Sequence, residues 1–218
     1  MPAGVEKVGF TTDDGVRIYA DYYANDSGAP SVILLHMYSR TRADWREFAL
    51  FLQSRGYSVL ALDMRGHGES GGGTYSAFGM QEWLGVLNDV SAGKEFLRSR
   101  GADTTRLSVI GASIGANLAL RYAAQDGEVK TVVLLSPGLD YRGVTTEDAM
   151  VDYGARPLLI VASEDDKYSA QTARRLDSLA QGEHKLIIYP AADHGTRMFG
   201  REPGLAQEIA GWLDEHSK

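Results

Sequence analysis

The chain has no cysteine among its 218 residues, which excludes disulfides, thiolate metal sites and cysteine nucleophiles. It also lacks a basic face. Its 22 Lys and Arg stand against 29 Asp and Glu, a formal charge of −7, and no long run carries one sign. Nucleic acid or an anionic membrane as main partner would need clustered positive charge, so neither is expected. No apolar run approaches the roughly 18 residues of a membrane-spanning helix. The N-terminus, MPAGVEKVGF, has no basic segment followed by an apolar one, so no signal peptide is read there and a cytoplasmic location is expected. Repeats, low-complexity tracts and linkers are missing too. With 44% hydrophobic residues, the chain reads as one domain over 1–218.

What is present is an alternation of two periodicities. Strands are expected at Val5–Thr11, Arg17–Tyr23, Val32–His36, Tyr57–Asp63, Leu107–Gly111, Thr131–Ser136, Leu158–Ala162 and Lys185–Tyr189. The first two alternate apolar with polar residues and are joined by Asp13-Asp14-Gly15, a hairpin signal. The later ones (VVLL, LLIV, LIIY) are continuous apolar runs, as suits strands buried on both faces. Helical patterns lie between them at Asp44–Arg55, Met80–Ser99, Ile114–Gln125, Ala170–Gln181 and Pro203–His216. The expected architecture is α/β: a mostly parallel twisted sheet of about eight strands, an antiparallel N-terminal edge, and helices on both faces.

One junction carries chemistry. In LSVIGASIGANLAL (107–120) a strand meets a helix at Ser113, with Gly111 and Gly115 on either side. A G-x-S-x-G turn exposes its central side chain above the sheet, and the helix start beneath it offers free N–H groups to a developing oxyanion. A serine hydroxyl needs a base, and the base needs an orienting acid. Both follow at later strand ends: Glu164-Asp165-Asp166 after LLIVAS, and His194 in AADHG after LIIYP. The order serine, acid, histidine suits this architecture. His184 and His216 sit in polar sequence and read as surface residues. His36, His67, Asp63, Arg65 and Glu69 read as groups that fix loops. GHGESG (66–71) satisfies a dinucleotide pattern, but a loop follows it rather than a helix. No metal-ligand constellation stands out, and neither a metal nor another cofactor is expected.

The segments GASIG (111–115), YSVLALDMRGHGES (57–70), PLLIVASEDD (157–166) and ADHG (192–195), with His36 in VILLHMYSRTRADW, resemble the α/β-hydrolase family over nearly the whole chain. Within it the chain looks like the small lidless bacterial members, of the dienelactone-hydrolase or carboxylesterase sort. The resemblance implies an α/β-hydrolase fold and a triad of Ser113, Asp165 and His194, with Asp166 as the reserve acid. It implies an oxyanion hole made by the N–H groups of Ile114 and Tyr38. The family commonly has His-Gly where this chain has His36-Met37, which leaves open which N–H of that loop points inward.

Only 21 residues separate Pro137 from Pro157 inclusive, too few for a large cap. An open pocket is therefore expected, walled by Met37, Tyr38, Met198 and Phe199, with Leu139 and Tyr141. Arg40 and Arg42 beside the oxyanion loop read as solvated, or else as favouring a substrate with a carboxylate. The expected activity is hydrolysis of a small, short-chain carboxylic ester through an acyl-enzyme. The alternatives are a lactone or amide hydrolase on the same triad, or a catalytically silent binding protein.

Overall fold

The computed structural model describes residues 4–218, so Met1 to Ala3 of the N-terminal reading lie outside the described residues. Strands β1 (Val5–Thr11) and β2 (Arg17–Tyr23) form the expected antiparallel hairpin. After β3 (Pro30–Leu35), a 3-10 turn at Arg42–Trp45 runs into α1 (Arg46–Ser54) and β4 (Ser58–Leu62). Next come α2 (Met80–Leu84), α3 (Val86–Ser99), β5 (Asp103–Ala112), α4 (Ile114–Gln125) and β6 (Thr131–Leu135). A small hairpin, β7 (Asp140–Tyr141) and β8 (Val144–Thr145), leads to α5 (Glu147–Tyr153). The chain ends with β9 (Leu158–Ser163), α6 (Lys167–Leu179), β10 (His184–Tyr189), α7 (Met198–Arg201) and α8 (Leu205–His216).

The eight long strands form one sheet in the order β1-β2-β4-β3-β5-β6-β9-β10. β2 runs antiparallel to β1 and β4, and every pairing from β4 to β10 is parallel. The continuous apolar runs have the cause expected of them. Along β3, Ile33 and Leu35 join one core and Val32 and Leu34 the other. In β9, Leu158 and Ile160 face the first and Leu159 and Val161 the second. Successive side chains point to opposite faces, so a strand covered by helices on both sides must be apolar throughout. Each such aliphatic side chain contributes about 1.5–3 kcal/mol on burial.

Several helix boundaries differ from expectation. The helix expected over Met80–Ser99 is two, meeting at Gly85 where the Arg65 side chain packs; a Cβ there would lie 2.5 Å from its Nη1. α6 starts three residues early because Asp166 caps it, accepting the Ser169 N–H at 3.4 Å. The last helix begins at Leu205, two residues after Pro203.

The carboxyl ends of β3, β5, β6, β9 and β10 lie along one edge of the sheet, and their loops build the site below. Between β6 and β9 the chain adds only the small hairpin and α5. Among the described residues, no helix is long and apolar enough to cross a membrane.

Candidate active site

The turn from β5 into α4 holds Ser113 at φ 57°, ψ −125°, a left-handed conformation that costs a non-glycine residue about 1–3 kcal/mol. Its glycines are there for contact. A Cβ on Gly111 would sit 2.0 Å from the Gly115 carbonyl oxygen, and one on Gly115 would sit 2.5 Å from that of Leu35. Ser113 is pinned from the sheet side, its N–H donating to Leu135 O at 2.8 Å. Ile114 opens the helix directly after it, where N–H groups have no intrahelical acceptor. Neither the Ile114 nor the Tyr38 N–H makes a hydrogen bond to another described residue.

His194 arrives on the loop after β10, between two left-handed residues, Asp193 (φ 72°) and Gly195 (φ 59°). Serines from neighbouring strand ends hold that loop: the Ala192 N–H donates to Ser163 Oγ at 2.6 Å and the Gly195 N–H to Ser136 Oγ at 2.9 Å. The ring donates from Nδ1 to Asp166 Oδ2 at 2.5 Å, which fixes the tautomer and leaves Nε2 as acceptor. Burial works against ionising Asp166, but the His194 and Ser169 hydrogen bonds outweigh it and hold its carboxyl below the ordinary value.

The acid that meets His194 is therefore Asp166, whereas the family pattern pointed to Asp165. The reason is a one-residue slip. β9 runs on to Ser163 instead of ending at Ala162, and the turn closed by the Asp166 N–H on Ser163 O (3.1 Å) swings Asp166 toward the histidine. Asp165 instead accepts from the Ser163 hydroxyl and from the Asp193 N–H at 3.4 Å. It braces the histidine loop.

No hydrogen bond joins Ser113 to His194 among the described residues. The Tyr141 phenol lies 3.1 Å from Ser169 Oγ and 3.5 Å from Ser136 O. Burial pushes the Tyr141 phenol up to about 12, so it stays protonated at neutral pH.

The expected pocket wall needs correction. Met37 and Met198 are buried, at 5% and 0% exposure, and belong to the core packed around Trp45. The loop after β3 turns Met37 downward, under Gly195, whose Cβ position is 2.3 Å from the Met37 sulfur. Phe199 stacks on Phe48 with ring centroids 4.7 Å apart. It lines a separate cavity of about 560 Å³ with Phe48, Phe51, Thr196 and Glu202, and neither Ser113 nor His194 lines it. Tyr38 and Tyr141 are half-buried, in the segments that follow β3 and β6.

Arg40 is exposed, as a solvated residue should be, whereas Arg42 is not free to meet a substrate. Arg40 grips Asp44 with two hydrogen bonds of 2.7 Å. Arg42 is ringed by Asp21, Asp63 and Glu69. His36 behaves as the loop-fixing group expected: fully buried, it donates from Nδ1 to Met37 O (2.8 Å) and accepts the Met64 N–H at Nε2 (3.1 Å). Burial, with His67 nearby, pulls it down to about 3. Met37 does not need a glycine's conformation; the left-handed residue of this loop is Ser39, at φ 57°.

Two residues went unread in the sequence. Asn117, one turn after Ser113 on α4, holds the base of the small hairpin through Gly138 O (2.8 Å), Val144 O (2.7 Å) and the Gly138 N–H (3.0 Å). A lone amide in the apolar stretch IGANLAL was the available signal. Arg142, at the hairpin tip, gave none. No group of three acidic or histidine side chains able to hold a metal is found among the described residues.

Known proteins resemble this chain in sequence and in fold. A family model described as serine aminopeptidase, S33, matches residues 29–151, more than half of the chain, including Ser113 but not Asp166 or His194. A non-heme chloroperoxidase of Streptomyces lividans is 35% identical over 128 residues, 58% of this chain and 43% of that protein. A monoacylglycerol lipase of Mycolicibacterium smegmatis is 28% identical over 58% of this chain and 44% of its own length. The chain thus spans less than half the length of these curated relatives. An esterase of Pyrococcus furiosus superposes with a TM-score of 0.81 at 21% identity, covering 99% of this chain and 91% of that one. A dienelactone hydrolase of Anabaena variabilis does so at 0.78 and 19%, over the full length of both; such distant likenesses speak to fold. With the family model, the strained serine turn and the sheet order in agreement, the chain belongs to the S33 serine aminopeptidase family and is a small α/β hydrolase.

Proposed function

We propose that residues 1–218 act as one catalytic domain, a serine hydrolase of small carboxylic esters working through an acyl-enzyme. Ser113 Oγ attacks the acyl carbon and its proton passes to His194 Nε2. Asp166, bonded to Nδ1, keeps that tautomer and stabilises the imidazolium. The N–H groups of Ile114 and Tyr38 receive the oxyanion. His194 then returns the proton to the departing alkoxide, and water repeats the sequence to release the acid and restore Ser113. The observations that carry this reading are the His194–Asp166 bond and a serine strained onto a helix start. Short acyl chains follow from the scant covering, a two-stranded hairpin and one short helix. The S33 description favours a second reading, amide cleavage on the same residues.

The test is turnover of p-nitrophenyl esters from acetate to palmitate by the wild type and Ser113→Ala, with p-nitroanilides alongside. Hydrolysis should be fastest for acetate and butyrate, and the alanine variant should lose about 10³-fold or more while remaining folded. A variant as active as the wild type sinks the serine mechanism, and preference for palmitate sinks the short-chain assignment. Faster anilide than ester turnover would make the amide reading the right one.

A further inference from the structure

The small hairpin that replaces a cap ends in Arg142 and Gly143, both left-handed, at φ 56° and 84°. Two consecutive positive φ values are the mark of a tight hairpin turn in which asparagine and glycine are preferred, and arginine is a strained choice. Arg142 is exposed, and its guanidinium makes no ion pair or hydrogen bond with a described residue. It lies over the Tyr38 ring, 4.0 Å from the centroid.

The other contacts of that ring give this contact its meaning. Tyr38 meets Tyr75 edge-on at 5.1 Å, Tyr75 stacks on His67 at 4.3 Å, and His67 meets His36 at 4.7 Å. The line of rings returns to the residue that opens the oxyanion loop. From within, His36 fixes the loop through Met37 O and the Met64 N–H. From outside, Arg142 closes the stack. The platform beneath Arg142 is rigid: Asn117 and Thr146 bond Gly138 O, the Leu139 N–H donates to Thr172 Oγ1 at 3.2 Å, and Tyr168 brackets the Asp140 backbone with two bonds of 3.0 Å. Gly143 presses on Met80 of α2, where a Cβ would lie 2.9 Å away.

We infer that Arg142 is a positioning residue for the oxyanion hole: its stacking on Tyr38 holds the Tyr38 N–H where the oxyanion forms. The inference rests on the serine-hydrolase reading above. A strained residue kept at a site rim needs a compensating role, and a planar cation on an aromatic face is a contact arginine makes better than lysine. Arg142 acts through Tyr38, so its removal displaces a donor without deleting one. The loss should be smaller than the roughly 10²–10³-fold that follows loss of a donor.

The experiment compares Arg142→Ala, Arg142→Lys and Arg142→Gly on p-nitrophenyl acetate, with thermal unfolding and inhibition by an alkyl boronic acid, which forms a tetrahedral adduct on the serine. Arg142→Ala should lower kcat about five- to fiftyfold with KM within twofold, and weaken the boronic acid by a similar factor. Lysine should recover part of the loss. Glycine relieves the backbone strain, so its Tm should equal or exceed the wild type's while kcat stays as low as in the alanine variant. A merely structural arginine would move stability and activity together, and that result overturns the inference. So does an unchanged kcat, or a rise in KM confined to esters bearing a carboxylate, which would make Arg142 a substrate ligand. If the wild type neither hydrolyses esters nor is labelled at Ser113 by a fluorophosphonate, the reading beneath fails and takes the inference with it.

Discussion

The turn carrying Ser113 and the loop carrying Tyr38 sit side by side at the same sheet edge, yet different forces hold them. The serine turn is fixed by backbone contact: Gly115 packs on the Leu35 and His36 carbonyls so closely that no Cβ fits. The Tyr38 loop is fixed by side chains from distant segments: His67, Tyr75 and Arg142, stacked in turn on His36 and Tyr38. Backbone contact leaves a mark in the sequence, because only glycine satisfies it. A stack assembled from residues more than a hundred positions apart leaves none.

The largest effect expected separates the two candidate acids. Asp166→Asn should cut kcat by about 10³–10⁴-fold, since the amide presents the wrong partner to His194 Nδ1 and favours the wrong tautomer. Asp165→Asn should cost less than about tenfold, because it disturbs only the brace from Ser163 and Asp193 to the histidine loop. Steady-state kinetics on p-nitrophenyl acetate would check both, and a reversed ranking would return the role to Asp165. Next in size is Gly115→Ala, whose Cβ would need β3 and α4 to separate. A loss of about 2–4 kcal/mol in urea unfolding is expected, along with most activity.

This contrast explains what could be read from the residues alone. All eight strands of the main sheet were legible, because burial on both faces demands unbroken apolar runs such as LLIV and VVLL. Ser113 and His194 were legible as candidates through their glycines and their places after strands. The histidine's partner was not, since the choice between adjacent aspartates turned on whether β9 ended at Ala162 or Ser163, and boundaries are where sequence patterns are weakest. The pocket wall was misjudged for a related reason. Met37 and Met198 are apolar residues in loops next to the site, and nothing in sequence says whether such side chains point up toward substrate or down into the core. Arg40 is exposed, as read, whereas Arg42 read as solvated because its carboxylate partners lie 21 or more positions away.

The side-chain-held loop should also be the more sensitive to acid. His36 is neutral in the folded protein and held down to about 3, whereas in the unfolded chain it titrates near the usual value of about 6.5. Between those values the unfolded state binds more protons, so stability falls as pH drops through that window, by up to about 1.4 kcal/mol per pH unit for this one group. Buried Asp89 opposes it: raised to about 6 by burial, it takes up its proton earlier in the folded state. The check is therefore a difference. Wild type and His36→Gln compared by urea unfolding from pH 7 to pH 5 should show a shallower pH slope in the variant, despite its lower stability at pH 7. Parallel slopes would mean that His36 is not the group responsible.

The smallest effect on activity is expected at Met37, where a glycine would restore what the resemblance leads one to anticipate. If the oxyanion loop depended on a glycine-like backbone at this position, Met37→Gly would raise kcat. In this structure the left-handed residue is Ser39, and Met37 works through its side chain, which fills the space beneath Gly195. Removing that side chain opens a cavity in the core around Trp45, and about 2–4 kcal/mol of stability should go with it. At temperatures where the variant remains folded, kcat should stay within about threefold of wild type, because His36 and the ring stack still hold the Tyr38 N–H. A gain in kcat of tenfold or more would show that the backbone at this position limits the oxyanion hole. The two neighbouring segments would then be held by the same kind of force after all.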